Sequence, residues 1–559
     1  MLKRLSVVIL LAVFVTVFSA CGDNGGSHGE YHRIDEISFE SGANPTHFAP
    51  SEYSASGANI DSATSDNSAE ATISDSETVT SSYVVIVEFG KYDWIGEFSD
   101  GLAVVNVGGI QEENHTVPNG GQWGVIDKTG REIIPLSDRY YRIDSFFGGF
   151  ATVTDADGNT GVIDASGTEI IPLSDRFRWI WGFSDGIAIV FDADSNVGVI
   201  DPTGREIVPM GRYVGIHRAS GGVLQVSVRY GESTDFSNLR HGIIDTDGNE
   251  IIPPIYTRIG SGSSSGFYYD VAIVYDGEWS AGLINSNGEI VVPVGTFNSI
   301  FSFSHGVAEV RGGGRIDNGT LWGGESGAID TMGRVIIPLG RFGSIGGGWG
   351  FSDGVAVVRD SMGNLGIIDT SGREILPLSD RYNRINRFSE GVAVVSRGDW
   401  PYAEIGVIDS SGVEIIPLSR NFANISEFTD GVAIITGDVE MEDGFIISFE
   451  SGVINKAGEI IVPFGRYSSI AVTPDGSWMG FSDGMTLVSV GSVFDDYRGI
   501  NIGGEWGILD VLGRELVPPR FTWIEPFSEG VARVNIGTLN PYQSFPQGGQ
   551  WGVISLVRP

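Results

Sequence analysis

Three stretches of the chain spell Gly-x-Ser-x-Gly, at Gly182 to Gly186, Gly350 to Gly354 and Gly480 to Gly484. In a hydrolase that string puts a serine nucleophile on a strained turn between a strand and a helix, beside a histidine and an acid. Here Ser184, Ser352 and Ser482 share their position with Ser389, Ser528 and Thr429, which have no elbow around them, and no helical stretch follows. The string reads as a repeated turn, and Ser352→Ala is expected to be nearly silent. Three further stretches, Asp155-x-Asp157-x-Asn159, Asp192-x-Asp194-x-Asn196 and Asp245-x-Asp247-x-Asn249, imitate the start of a calcium loop. They lack the glycine at the sixth position and the glutamate at the twelfth, so they read as turns in which Asp and Asn bond their own backbone. None of the histidines (His28, His32, His47, His115, His217, His241, His305) falls at metal-ligand spacing. No catalytic residue, metal site or cofactor is expected. What remains is Cys21, whose solitude excludes an internal disulfide and any multi-cysteine zinc site.

The position of Cys21 gives it a role. Lys3 and Arg4 precede an apolar run from Leu5 to Phe18, which ends in Ser19 and Ala20. A run of this length falls short of the roughly 20 residues of a spanning helix and has the plan of a secretory signal peptide. Phe18-Ser19-Ala20-Cys21 resembles the bacterial lipobox, which implies cleavage before Cys21 and a lipid on its thiol. Residues 1–20 are thus read as signal peptide. Residues 21–82 are read as the lipidated N-terminus and a disordered tether, with 11 acidic residues and only Arg33 as a base. The expected address is the cell envelope, with the protein anchored to a bacterial membrane and exposed outside the cytoplasm. Over the whole chain 71 acidic residues face 34 basic ones, a net charge of -37. Nucleic acid is not expected as a partner, because binding it rests on Lys and Arg neutralising phosphates.

Residues 83–559 are dominated by one repeated pattern. A clear copy runs Gly366-Ile367-Ile368-Asp369-Thr370-Ser371-Gly372-Arg373-Glu374-Ile375-Leu376-Pro377, then Arg381-Tyr382, Ile385 and Phe388-Ser389-Glu390-Gly391-Val392-Ala393-Val394-Val395. The opening glycine recurs eleven times from Gly124 to Gly552, and the turn glycine ten times from Gly130 to Gly513. Asp-x-x-Gly between β-branched runs is hairpin chemistry, with the glycine at φ > 0, where a valine in place of Gly372 would cost about 1 to 3 kcal/mol. The proline after each second strand is expected to end its pairing. Apolar runs last only 4 to 6 residues, so the fold class is all-β: a tandem array of about 11 repeats of short antiparallel strands. Val84 to Val87 matches the second strand of a copy and Gly552 to Ile554 the first, so the chain ends could complete one unit between them. A propeller-like ring, two rings and an open β-superhelix all stay open, since eleven units exceed the usual 4 to 8 blades.

This arrangement resembles the bacterial WG-repeat family, named for a Trp-Gly dipeptide that stands here at Trp123-Gly124, Trp506-Gly507 and Trp551-Gly552. The resemblance implies an envelope repeat protein and brings no catalytic residues. The connection between the Ala-x-Val strand and the next opening glycine varies most in length, and such insertions usually carry function. These loops hold Tyr230, Trp322, Tyr497, Tyr542 and Phe545 among Gly, Asn and Gln, which suits a sugar or an extended peptide. The expected function is recognition of a glycan, peptide or protein by a non-catalytic lipoprotein. A structural spacer without a ligand is the alternative, and a hydrolase a distant third.

Overall fold

The computed structural model describes residues 83–557 apart from 112–116, 232–237, 261–265, 278, 318–319, 349, 400–401, 443–444, 475, 496–499 and 538–548. The expected signal peptide, Cys21 and tether lie outside these residues. The described chain folds into eleven four-stranded antiparallel sheets. Each is a blade. In the eighth, for example, the strands are Arg384–Ile385, Val392–Arg397, Glu404–Asp409 and Glu414–Ser419. The sequence copy straddles two blades, supplying strands 3 and 4 of one and strands 1 and 2 of the next. Strand 1, only two residues long here, follows the Arg-Tyr pair and escapes the sequence pattern, which shows three strands per copy.

The turn chemistry is as expected. Gly372 sits at φ +79°, and Asp369 Oδ1 accepts from the amides of Ser371 (2.9 Å) and Arg373 (3.0 Å). The proline corrects the reading. Strand 4 does not stop there: Leu376 pairs with Ile367 and Ser379 with Leu365, so Pro377 lies in a bulge. A residue without an N–H is tolerated where the ladder is already interrupted. This bulge also explains the opening glycine. It brings strand 4 so close over strand 3 that a Cβ on Gly366 would stand 2.8 Å from the Leu376 carbonyl oxygen and 3.1 Å from the Leu378 nitrogen. Gly242 and Gly507 meet the same backbone atoms at 2.5 and 2.4 Å.

The blades close into one ring, an 11-bladed β-propeller. Eleven apolar clusters fill the eleven interfaces, each built from two neighbouring blades, as where Val355 and Ile367 of the seventh meet Ile385 and Val395 of the eighth. The cluster that completes the circle joins Tyr92, Ile95 and Val105 of the first blade to Trp523, Trp551 and Val553 of the last. Tyr83–Val87 supplies strand 4 of that last blade, pairing Val85 with Ile554 and Val87 with Val553. Of the three architectures left open, two rings and an open superhelix are therefore excluded.

Polar clasps reinforce the interfaces. The tyrosine entering a blade donates to the glutamate that opens strand 4 of that blade: Tyr140 to Glu169 (2.9 Å), Tyr213 to Glu250 (3.1 Å) and Tyr382 to Glu414 (2.8 Å). Burial, then the bond to the carboxylate, pushes each phenol up to about 12. At the turns, the Thr203 hydroxyl and the amides of the loop hold Asp201 down at about 2, and similar bonds from Ser371 and Arg373 outweigh burial to bring Asp369 to about 2. The signs follow from linkage. The phenols stabilise the ring fully below their unfolded value of 10.0, and that contribution is lost as pH rises towards 12. The aspartates stabilise it above their unfolded value of 3.8 and lose that as pH falls towards 2. A plot of melting temperature against pH is expected to be flat from about 5 to 9 and to fall beyond both limits. A melting temperature that held steady from pH 10 to 12 would contradict the clasp.

Candidate functional site

Strand 2 of a blade runs from the turn after strand 1 to the connection before strand 3. Its usual six residues, as in Leu102–Val107, span about 20 Å and hold these two connections on opposite faces of the ring. The face with the 1–2 turns carries the hydrolase-like strings. Asp185 and Gly186, at φ 54° and 76°, form a two-residue turn of the type that matches strand twist, and strand 2 follows it directly. The side chains of these turns hold neighbouring blades together. Ser389 Oγ donates to the Phe428 carbonyl (2.7 Å), while Asp353 and Glu390 carboxylates accept from the Gly391 and Gly431 amides (2.8 and 2.9 Å). Ser352 is buried and its Oγ accepts from the Phe388 amide at 3.2 Å. Ser352→Ala is therefore not silent for stability, since it strands a buried N–H at a cost of about 1 to 3 kcal/mol.

The calcium-like loops turn their oxygens inward. Asp155 Oδ1 accepts from the Asp157 and Asn159 amides, and Oδ2 from the Asn159 side chain at 2.8 Å. Among the described residues no group of three or more His, Cys, Asp or Glu side chains is placed to hold a metal ion. His241 bonds Ser227 Oγ at 2.9 Å, and burial, then the nearby His217, keeps its imidazole below the usual range.

The opposite face carries the variable 2–3 connections. Those of blades 9, 10, 11 and 1 are all long, so they form one arc across the closure seam. In blade 9 strands 2 and 3 run on as an 11-residue hairpin, Val432–Glu442 with Phe445–Asn455. In blade 10 a ribbon of Val493–Asp495 and Ile500–Ile502 rises from the sheet, and in blade 1 Ile110 bridges Asn119. Blade 6 has a similar ribbon that includes Trp322, paired with Arg315. Tyr230, in blade 4, is 57% exposed with the Arg240 guanidinium 4.6 Å from its ring centre. Tyr497, Tyr542 and Phe545 lie outside the described residues. Of the predicted aromatics, Tyr230 and Trp322 thus stand on the face of the 2–3 connections but on separate blades, the fourth and the sixth.

Two clusters went unpredicted, one along strands 1 and 2 of blade 3 beside the blade 2 turn and one beside the 1–2 turn of blade 11. Phe147, Trp179 and Trp181 are each about half exposed on blades 2 and 3, with Trp179 and Trp181 flanking Phe191 and the Arg178 guanidinium over Trp179. At the seam, Arg533 and Glu525 form a buried pair beside a cleft of about 370 Å³. Both show in the sequence only as departures from the repeat at aligned positions: Trp around an Ile, and Arg in the middle of Val-Ala-x-Val.

A family model described as a WG containing repeat matches residues 84–109, 123–157, 161–191, 242–276, 282–315, 327–360, 366–399 and 506–537. Eight stretches of the ring match the WG repeat. In three copies of the repeat the literal tryptophan is present and buried, at Trp123, Trp506 and Trp551, in blades 1, 10 and 11. These are blades with long 2–3 connections, and Trp506 Nε1 donates to the Gly503 carbonyl (3.2 Å), tying the connection to the core. No curated protein matches the chain. Solved structures similar to it include the designed protein Ika8 (15% identity, 58% of this chain and 96% of that one, TM-score 0.22). BamB from Moraxella catarrhalis is 12% identical over 58% of this chain and 94% of its own, with a TM-score of 0.25. PorZ from Porphyromonas gingivalis is 11% identical over 81% and 63%, with a TM-score of 0.19.

Proposed function

We propose that this chain is a non-catalytic envelope lipoprotein, anchored through Cys21, whose WG ring recognises a glycan, peptide or protein on the face bearing the long 2–3 connections. The observation that carries this reading is the run of four neighbouring blades with extended connections. A ring needs only the short loops found in blades 2, 3 and 7, such as the step from Phe191 to Val197, so the added length has no structural necessity. A spacer has no use for an asymmetric face.

Probing a glycan and peptide array with the purified protein tests the reading. Shortening the blade 10 connection between Val490 and Glu505 to the length found in blade 3 is expected to lower affinity for the array ligand at least tenfold while leaving the melting temperature within a few degrees. Unchanged binding by this variant and by the matching cut in blade 9 would place recognition elsewhere, and an array without a ligand would favour the spacer. Mass spectrometry of the mature N-terminus tests the anchor, since an unmodified Cys21 thiol would end that part of the proposal.

A further inference from the structure

In a repeat protein, departures from the repeat that converge in space mark a place where something other than folding is being served. Three meet at the closure seam. The middle of strand 2 is apolar in most blades, as at Val104, Ile189 and Val357, yet in the last blade it is Arg533, the one cation at this register position. Directly opposite, after strand 1, stands Glu525, where other blades have residues such as Gly96, Asn386 or Ser426 and blade 2 has Asp144. The connection after strand 1 of blade 10, normally two residues between an isoleucine and a phenylalanine, here runs from Ile470 to Phe481, and its Thr473 and Pro474 reach the same spot.

These features border the cleft of about 370 Å³, within the size range of small-ligand sites. Arg533, 5% exposed, gives two parallel bonds to Glu525 (2.5 and 2.6 Å) and a third to the Ile95 carbonyl of the first blade (2.6 Å). Its charge is thus matched by Glu525 in a fork geometry. Glu97 is then the surplus charge. It is 80% exposed, with its carboxylate 3.5 Å from Arg533. Of the remaining walls, Pro474, Phe527 and Trp523 are apolar, while Thr473 and Ser528 add hydroxyls. An anion would meet Glu97 and a chain of net charge -37, whereas a cation on an aliphatic stem finds a carboxylate at the mouth and apolar side chains along the wall.

We propose that this seam cleft binds an alkylammonium group, with its aliphatic stem along Pro474 and Phe527 and its charge on Glu97. That chemistry comes from two sources, a free polyamine or a lysine side chain on a peptide. The site lies on the face opposite the long 2–3 connections and stands independently of the recognition proposed there.

Isothermal titration of the purified protein with spermidine, and separately with a short lysine-bearing peptide, tests it. One equivalent of one or both probes is expected to bind, and which one binds identifies the source. Glu97→Gln, at an exposed position, is expected to weaken binding about fivefold, and Ser528→Trp, which fills the cleft wall, to abolish it, both with unchanged melting temperature. Binding of many equivalents that neither variant alters would mean diffuse attraction to an acidic surface and would overturn the proposal. So would the absence of binding by both probes. Either failure leaves the array result on the other face untouched.

Discussion

Gly366→Ala is expected to destabilise the ring by about 3 kcal/mol, the upper end of what one added methyl does in a packed interior. The atoms that a Cβ would strike belong to backbone: the Leu376 carbonyl oxygen at 2.8 Å, the Leu378 nitrogen at 3.1 Å and its Cα at 3.3 Å. They cannot swing away as a side chain can, because Leu376 and Ser379 on either side are fixed by pairing to Ile367 and Leu365. Gly372→Ala is the control. There the residue is strained by φ +79°, but the nearest atoms at 3.0 to 3.6 Å include side-chain atoms of Ile337 and Arg341, so a loss of about 1 to 2 kcal/mol is expected. Urea unfolding of the two variants decides between them. If Gly366→Ala proves no more harmful than Gly372→Ala, the recurrence of the opening glycine has another cause.

Deleting Tyr83–Val87 is expected to have the larger effect, a loss of about 5 kcal/mol or more. Two buried side chains, Tyr83 and Val87, go with the strand, each worth about 1.5 to 3 kcal/mol, together with the ladder to Gln550–Leu556. The last blade is left with an unpaired edge, a template for pairing with another copy. Size-exclusion chromatography should show self-association, and a synthetic peptide of residues 83–89 added in trans should restore the monomer and raise the melting temperature. A truncated protein that stays monomeric and melts as before would show that the ring does not depend on this strand for closure.

Much of this fold was legible because a repeat states the same constraint many times. Asp369 and Gly372 declare a hairpin by residue type, and the complementary chain ends, Val84 to Val87 and Gly552 to Ile554, already suggest closure. The opening glycine was visible but unexplained, because its reason lies in the neighbouring strand and not in its own φ. Pro377 misled for a related cause: a missing donor ends a regular ladder but is harmless inside a bulge. Two-residue strands such as Arg384–Ile385 are too short to leave any periodicity. The serines and acids of the 1–2 turns, as at Ser389 and Glu390, look local in sequence although their partners sit one blade away. As for candidate sites, a reading by loop length points to Tyr230 and Trp322 but passes over Arg533 and Glu525, which sit in a regular strand and beside one, and stand out only when the copies are aligned against each other.

The closing strand also sets an order of events. Its partner lies at the other end of the repeat array, so a strand made before all the blades must wait, unpaired, for almost the whole folded length to follow. Blades 1 to 10 use local pairing and can form as they appear, but contacts of such long sequence separation are slow to establish. Ring closure should therefore be the late, rate-limiting phase of refolding, and the interval before it the period in which the molecule is most exposed to proteases and to mispairing with its neighbours.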